Sequence, residues 1–443
     1  MPTVTASVDE QMRVLMSGVE YGDPHIQATM ERELRLRLGE GRPLRVYCGF
    51  DPTAVDLHLG HMIPMLKLRQ FQRFGHEVTF LIGTMTGIVG DPSDKTAARQ
   101  MLTVDEVNRN AETWLSQAFR VLDRQQTVVK RNGDWLAPLS LADVVQLASH
   151  FTVGQFLDHE TFRQRMTEGK PLYVHEFIYA LMQAYDAHVL KTDVQVGGVD
   201  QLFNIMAGRQ LQHALGERPL VAVCVPLLTG TDGTLKMSKT TGNSINMDDS
   251  PADMYGKVMS IPDSLMASYY TLVLGLTSDE VAAVGREGNP MAAKKRLARG
   301  VVALLYDEAA ADAAQAEFER VFQRREEPEE AQELSWDDLE FSEADKPADN
   351  ISWRDLPFGT LIVAGMPVRD YLLSRGAPIL LATFVSGFGG VSMSEARRLI
   401  QQGAVSIDGK PVTKAIGNVK PGSVVRVGRH RFFKIGQPKN WPR

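Results

Sequence analysis

A chain of 443 residues, 44% hydrophobic and 23% charged, has material for several packed domains. It contains no run of 18 apolar residues, which argues against a membrane-spanning helix. Its first residues, MPTVTASVDEQMRVLMSG, lack the basic start and apolar stretch of a secretory leader.

Only two cysteines occur, Cys48 and Cys224, with no CxxC spacing. That speaks against a thiolate zinc site or a disulfide framework and fits a reduced cytoplasm. The net charge of −6 is unevenly spread: residues 391–443 hold 11 Lys/Arg against 2 Asp/Glu, a net of +9, so the rest sums to −15. A basic tail on an acidic body points to a polyanionic partner. A solvated basic surface without a partner explains the charge equally well.

The apolar run LRVYCGF (44–50) ends at Asp51-Pro52 and reads as a buried strand followed by a turn. In residues 61–75 the spacing of Met62, Met65, Leu66, Leu68 and Phe71 predicts a helix that stops at Gly75. VTFLI (78–82) is a second strand, so His58-Leu59-Gly60-His61 falls at a strand–turn–helix junction, where open parallel sheets bind ligands. Further strands are expected at 126–130, 192–196 and 219–224, with helices at 140–158 and 175–190. This alternation predicts an α/β catalytic domain over residues 1–245 with a doubly wound, Rossmann-like parallel sheet.

Residues 246–325 read as a helical domain rich in good helix formers. Residues 326–349 hold 11 Asp/Glu and one Lys, and 326–375 is expected to be an acidic linker, poorly packed in much of 326–349, with a small helical bridge at 357–374. The last segment, 376–443, predicts a small α+β module. It has a helix at 394–403, a hairpin turning at Asp408-Gly409, and a strand pair within 423–435.

Two motifs carry chemistry. HLGH (58–61) and KMSKT (236–240), 175 residues apart, suggest one site for the triphosphate of ATP and activation of a carboxylate by adenylation. Charge builds on the phosphates as pyrophosphate leaves, so such a site works by positioning and electrostatic stabilisation. His58 and His61 at a helix start can donate to phosphate oxygens, and Gly60 leaves room for adenine or ribose. Lys236 and Lys239 sit on a Gly-rich loop that can fold over the leaving group. Alone, HLGH reads as a helix cap and KMSKT as a solvated loop; their order and context favour the joint reading.

YCGFDPTAVDLHLGH (47–61), GDPSDK (90–95), GGVDQLFN (197–204) and KMSKT together resemble bacterial tyrosyl-tRNA synthetases, which are class I aminoacyl-tRNA synthetases. The likeness runs from about residue 20 to the C-terminus, where the tail resembles an S4-type RNA-binding domain. It implies ATP-dependent activation of L-tyrosine and transfer to tRNA(Tyr). A site that selects tyrosine over phenylalanine needs polar groups that phenylalanine leaves unpaired, and this enzyme family is itself the usual illustration of that rule. The resemblance assigns Tyr47 and Asp186 to the phenol, and Tyr179, Gln183 and Asp91 to the ammonium, with Gln201 nearby. Tyr179, Gln183 and Asp186 also share one helical face by spacing.

The same resemblance implies that Cys48, Gly49, Asp51, Gly60, Gly198 and Asp200 hold ATP, with His61 by the ribose. Thr53 and His58 would reach the phosphates, and Lys95, Arg99, Lys236, Lys239 and Thr240 the pyrophosphate end. Mg²⁺ would arrive bound to ATP. A homodimer is implied, with residues around 132–160 at its interface. In the tail, Arg397 and Arg398 on a helix and Arg426, Arg429, Arg431 and Lys434 on strands form the expected RNA-binding face.

The sequence departs from the family at Asp94, where many relatives have Gly. Its GGVDQLFN fits one bacterial branch, GGxDQxFN, and not the GGSDQWGN branch, and Pro64 lies inside the helix after His61, there expected in its first turn. Three alternatives stand beside this reading. A tryptophanyl-tRNA synthetase would not need the Tyr47/Asp186 pair. A small-molecule nucleotidylyltransferase would not need the basic tail. A non-catalytic RNA-binding paralogue would not need the intact histidines and lysines.

Overall fold

Strands β1 (Arg45–Phe50), β2 (Glu77–Ile82), β3 (Thr127–Arg131), β4 (Val194–Gly198) and β5 (Val221–Val225) form one fully parallel sheet of order β3-β2-β1-β4-β5. These are facts of a computed structural model. It describes residues 4, 6–53, 56–91, 102–157, 160–320, 332–336, 339, 362–363, 366–367, 377–389, 391, 393–414, 416–428 and 431–437. The expected strands are present, displaced by at most two residues. β5 is buried throughout and β4 nearly so, as strands covered on both faces must be, whereas edge strand β3 alternates. Chain order reverses between β1 and β4, and that switch point is where a doubly wound sheet opens a crevice.

The helix after β1 spans Leu59–Arg73, beginning two residues earlier than its spacing suggested, with His58 as N-cap. Pro64 is therefore its sixth residue, not part of its first turn. The proline lacks the N–H that would bond the Gly60 carbonyl, so the helix is weakened beside the motif that it carries. The expected helix at 140–158 is two helices, Leu141–Ala148 and Val153–Leu157. Helix Val174–Val189 follows, and Glu176 anchors its start by accepting from Tyr173 N at 2.8 Å while pairing with buried Arg165 at 2.6 Å.

The chain divides into two compact units, Met1–Gln315 and Ala316–Arg443. Helices Pro251–Ser260, Met266–Leu272, Ser278–Arg286 and Pro290–Leu305 belong to the first unit with the sheet. Tyr269 ties them to it by donating to the Thr229 carbonyl at 2.8 Å.

The second unit holds a five-stranded sheet in the order Lys410–Pro411, Val405–Ile407, Val424–Val427, Arg431–Ile435, Gln332–Leu334. Asp408 and Gly409, at φ 49° and 75°, make the expected hairpin turn. Helices Leu381–Gly387 and Met393–Gln401 pack Leu381, Phe384, Ala396 and Ile400 against Val425 and Phe433. Two stretches of the expected linker and bridge are structured. Within the acidic stretch, Gln332–Leu334 adds a parallel edge strand, and Trp336 and Leu339 are fully buried in this core. In the expected helical bridge, Ile362–Val363 and Met366–Pro367 form an antiparallel pair, and the remainder of that bridge lies outside the described residues.

Candidate active site

The segment after the KMSKT loop closes the gap between the two motifs. Leu59 N donates to the Ile245 carbonyl, Met247 N donates to the Leu57 carbonyl, each at 2.9 Å, and His58 bridges Asn246. HLGH and KMSKT thereby border one cavity of about 480 Å³ at the switch point. Tyr47, Cys48, Gly49, Asp51, Thr53, His58, Gly60, His61, Asp91, Tyr179, Gln183, Asp186, Gly198, Asp200, Gln201, Lys236, Lys239 and Thr240 all line it. Lys95 and Arg99 lie outside the described residues.

The two imidazoles lie tilted against each other at 36°, ring centroids 3.9 Å apart, and His61 also meets Trp114 at 5.5 Å. His61 Nδ1 accepts from His58 N at 3.3 Å, which leaves Nε2 to carry the proton of the neutral ring. Burial, reinforced by Lys239 and Lys236, pulls His58 down to about 4, and burial with neighbouring His58 takes His61 well below its usual value. Both shifts favour the neutral imidazoles. A Cβ at residue 60 would sit 2.9 Å from the His58 ring, so glycine there makes room for that imidazole. Lys239 Nζ pairs with Asp56 at 3.0 Å; the Lys236 ammonium is lowered by burial, partly offset by Asp91.

The other end of the cavity is a hydrogen-bonded chain of buried and half-buried groups. Tyr179 donates to Asp51 Oδ2 at 2.8 Å, and Thr86 donates to Asp51 Oδ1 at 2.6 Å. Asn132 Nδ2 donates to Thr86 Oγ1 at 2.9 Å and to Asp186 Oδ2 at 3.1 Å. Trp135 Nε1 donates to Asp186 Oδ1 at 2.7 Å. Asp51, placed with ATP by resemblance, is thus bonded to the tyrosine-side residue Tyr179. Gln201 donates to Asp91.

Burial pushes the Asp186 carboxyl up to about 8 despite its two donors. The Tyr47 phenol, raised by burial and by nearby Asp186, has a buried oxygen with no hydrogen-bond partner. Burial and Asp91 raise Asp200 to about 6.

Four residues escaped the sequence reading: Thr86, Asn132, Trp135 and Gln195. Asn132 and Trp135 follow the carboxyl end of β3, a position that marks ligand-side residues in such sheets. Gln195 stands in register with Tyr47, is 2% exposed, and its Oε1 also lacks a partner. A lone amide between valines in a central strand was the available signal.

In the second unit, the expected single basic face is divided. Arg426 and Lys434 alternate away from Val425 and Phe433, hence from the helices packed on those side chains. Arg397 and Arg398 are exposed on the helix layer, Arg398 pairing with Glu395 at 2.6 Å. Arg431 alternates to the helix side, and Arg429 lies outside the described residues. Strand alternation, invisible without the register, separates these cations.

A doubly wound sheet with HLGH and KMSKT at its switch point defines a class I aminoacyl-tRNA synthetase. Residues 39–323 match the family of tRNA synthetases class I (W and Y), and residues 381–425 match the S4 domain. The tyrosine–tRNA ligase of Moorella thermoacetica is 42% identical over 97% of this chain and 96% of its own length. That of Aquifex aeolicus is 38% identical over 96% and 98%. The tyrosyl-tRNA synthetase of Archaeoglobus fulgidus, solved with L-tyrosine, shares the fold at TM-score 0.56 and 23% identity, covering 70% of this chain and all of that one. The chain belongs to the tyrosine–tRNA ligase family.

Proposed function

We propose that this chain activates L-tyrosine with MgATP to tyrosyl-adenylate and pyrophosphate, then transfers the tyrosyl group to the 3′-terminal ribose of tRNA(Tyr). The observation that carries the amino-acid choice is the partnerless Tyr47 hydroxyl beside Asp186. A phenol can donate to Asp186 and accept from Tyr47 at once, leaving no polar group unpaired; phenylalanine can do neither. Asp91, Tyr179 and Gln183 surround the ammonium, with Gln201 fixing Asp91.

In the first step a tyrosine carboxylate oxygen bonds to the α-phosphorus as the bond to pyrophosphate breaks. His58 and Thr53 donate to the phosphates. Lys236 and Lys239 meet the negative charge growing on pyrophosphate, Lys239 exchanging Asp56 for it, with Thr240 at the same end, to which the resemblance also assigns Lys95 and Arg99. Cys48, Gly49, Gly198, Asp200 and His61 hold the nucleoside. No side chain needs to remove a proton in this step, because the attacking carboxylate is already ionised.

Among the described residues no helix is long and apolar enough to cross a membrane. We place the enzyme in the cytoplasm as a homodimer. Exposed Leu141, Val145, Val153 and Val174, 62–79% accessible, supply an apolar surface near the expected interface. Arg397, Arg398, Arg426, Arg429, Arg431 and Lys434 would meet RNA phosphates, and those of them that the structure describes lie on two sides of the module. ATP–pyrophosphate exchange tests the reading: it should depend on tyrosine and not on tryptophan or phenylalanine. Exchange driven by tryptophan, or by no amino acid, would overturn it.

A further inference from the structure

The loop that carries Lys236 and Lys239 is assembled around one side chain that the sequence did not single out. Asn243 is 3% exposed. Its Oδ1 accepts from Ser238 N and from Thr241 Oγ1, both at 2.8 Å. Its Nδ2 donates to Asp232 Oδ2 at 2.8 Å and to the carbonyls of Lys236 at 3.2 Å and Leu235 at 3.4 Å. Its own carbonyl accepts from Thr231 N at 2.9 Å. A Cβ at Gly230 would lie 2.3 Å from this amide, so the loop closes over a glycine.

The arrangement bears on the lysines through the backbone. The Lys236 carbonyl and the Ser238 N–H flank buried Met237, whose own N–H bonds the Leu228 carbonyl at 2.7 Å. One amide therefore grips the chain on both sides of Met237, between the two lysines. Asp232 turns its other oxygen to Thr234 N and Leu235 N at 3.0 and 3.1 Å, which holds the carboxylate facing Asn243. A short side chain that accepts twice on one side and donates to more than one group on the other fits an amide: a serine or threonine hydroxyl has one proton to give, an ionised aspartate none, and leucine neither group.

We infer that Asn243 is a positioning residue for pyrophosphate release, setting the backbone from Lys236 to Ser238 so that both ammonium groups meet the leaving group together. The inference rests on the assignment of those lysines to pyrophosphate. A loop held in one geometry spares the transition state the work of ordering it, and small misplacements of such groups are costly in rate.

The test is a cycle on the full-length enzyme comprising N243D, D232N and the double variant. N243D keeps the acceptor for Ser238 and Thr241, loses the donor, and sets two carboxylates against each other. D232N, at an exposed residue, sets two amide NH2 groups against each other without touching the buried position. N243D/D232N restores a donor–acceptor pair in the reverse sense.

Each single variant should lower tyrosine-dependent exchange by roughly 10- to 100-fold and raise the KM for pyrophosphate. The tyrosine Kd should stay unchanged, and the double variant should recover only the part of the loss that comes from the contact with residue 232, because a carboxylate at 243 still gives the Lys236 carbonyl no donor. Wild-type exchange in N243D, full recovery in the double variant, or an equal rise in tyrosine Kd would overturn the inference. K236A and K239A separate the two readings. If those variants retain full exchange, the lysine assignment itself falls; if they lose exchange while N243D does not, only the role of Asn243 falls.

Discussion

Replacing Tyr47 by Phe should make the free protein more stable and the enzyme worse at holding tyrosine. The hydroxyl is buried, the residue is 2% exposed, and its oxygen has no partner in the free protein. Leaving such a group unsatisfied costs about 1–3 kcal/mol, so its removal should stabilise the first unit by a comparable amount. In the complex the same hydroxyl would donate to the substrate phenol. A neutral hydrogen bond contributes about 0.5–1.5 kcal/mol net, so tyrosine affinity should fall roughly 2- to 13-fold. Phenylalanine, which gains nothing from that hydroxyl, should bind as well as before or better, and discrimination should narrow by at least the same factor. Thermal unfolding and equilibrium binding of both amino acids measure the two effects on one sample. A lowered melting temperature with unchanged tyrosine affinity would show that the hydroxyl works inside the fold, and the phenol assignment would be refuted.

Two further outcomes follow from the same geometry. Asp186, pushed up to about 8, binds more protons folded than unfolded across the interval from its unfolded value near 4. Its favourable contribution to stability is present in full below about pH 4 and is lost as pH rises through about 8. A bound phenol that donates to the carboxylate favours ionisation, so tyrosine binding at pH 7 should release a proton and tighten as pH rises toward 8. Asp186→Asn should flatten that dependence; a flat wild-type profile between pH 6.5 and 8.5 would contradict it. In the second unit, Trp336→Ala should destabilise the small domain by about 3–5 kcal/mol, because the indole is fully buried in its core. Tyrosine-dependent exchange should persist while tRNA charging falls, and undiminished charging would remove the tail from the reaction.

Much of the site was legible because its parts are local patterns. HLGH and KMSKT are contiguous, and Tyr179, Gln183 and Asp186 repeat at helical spacing, so one turn of backbone aligns them. The chain Tyr179–Asp51–Thr86–Asn132–Asp186 could not be read this way. Its members come from distant segments, and each is an ordinary polar residue until the β1–β2–β3 pairing brings the carboxyl ends of three strands together. Gln195 had a signal, a polar residue in an apolar strand, but its neighbour Tyr47 lies 148 positions away. Asn243 lacked even that, since asparagine in a Gly-rich loop reads as a turn.

The sequence by itself determined the class of sheet, the HLGH and KMSKT motifs, the shared helix face of Tyr179, Gln183 and Asp186, and the basic tail, because each is written in short-range spacing or composition. Tertiary structure decided what those pieces face. It joined HLGH to KMSKT through residues 57–59 and 245–247, and it left Tyr47 without a partner. It drew Trp336 out of an acidic stretch into the second core and split the basic face across two sides of a sheet. The reason is the same in each case. Hydrogen-bond partners, burial and strand register are relations between residues far apart in sequence, and they exist only once the chain has folded.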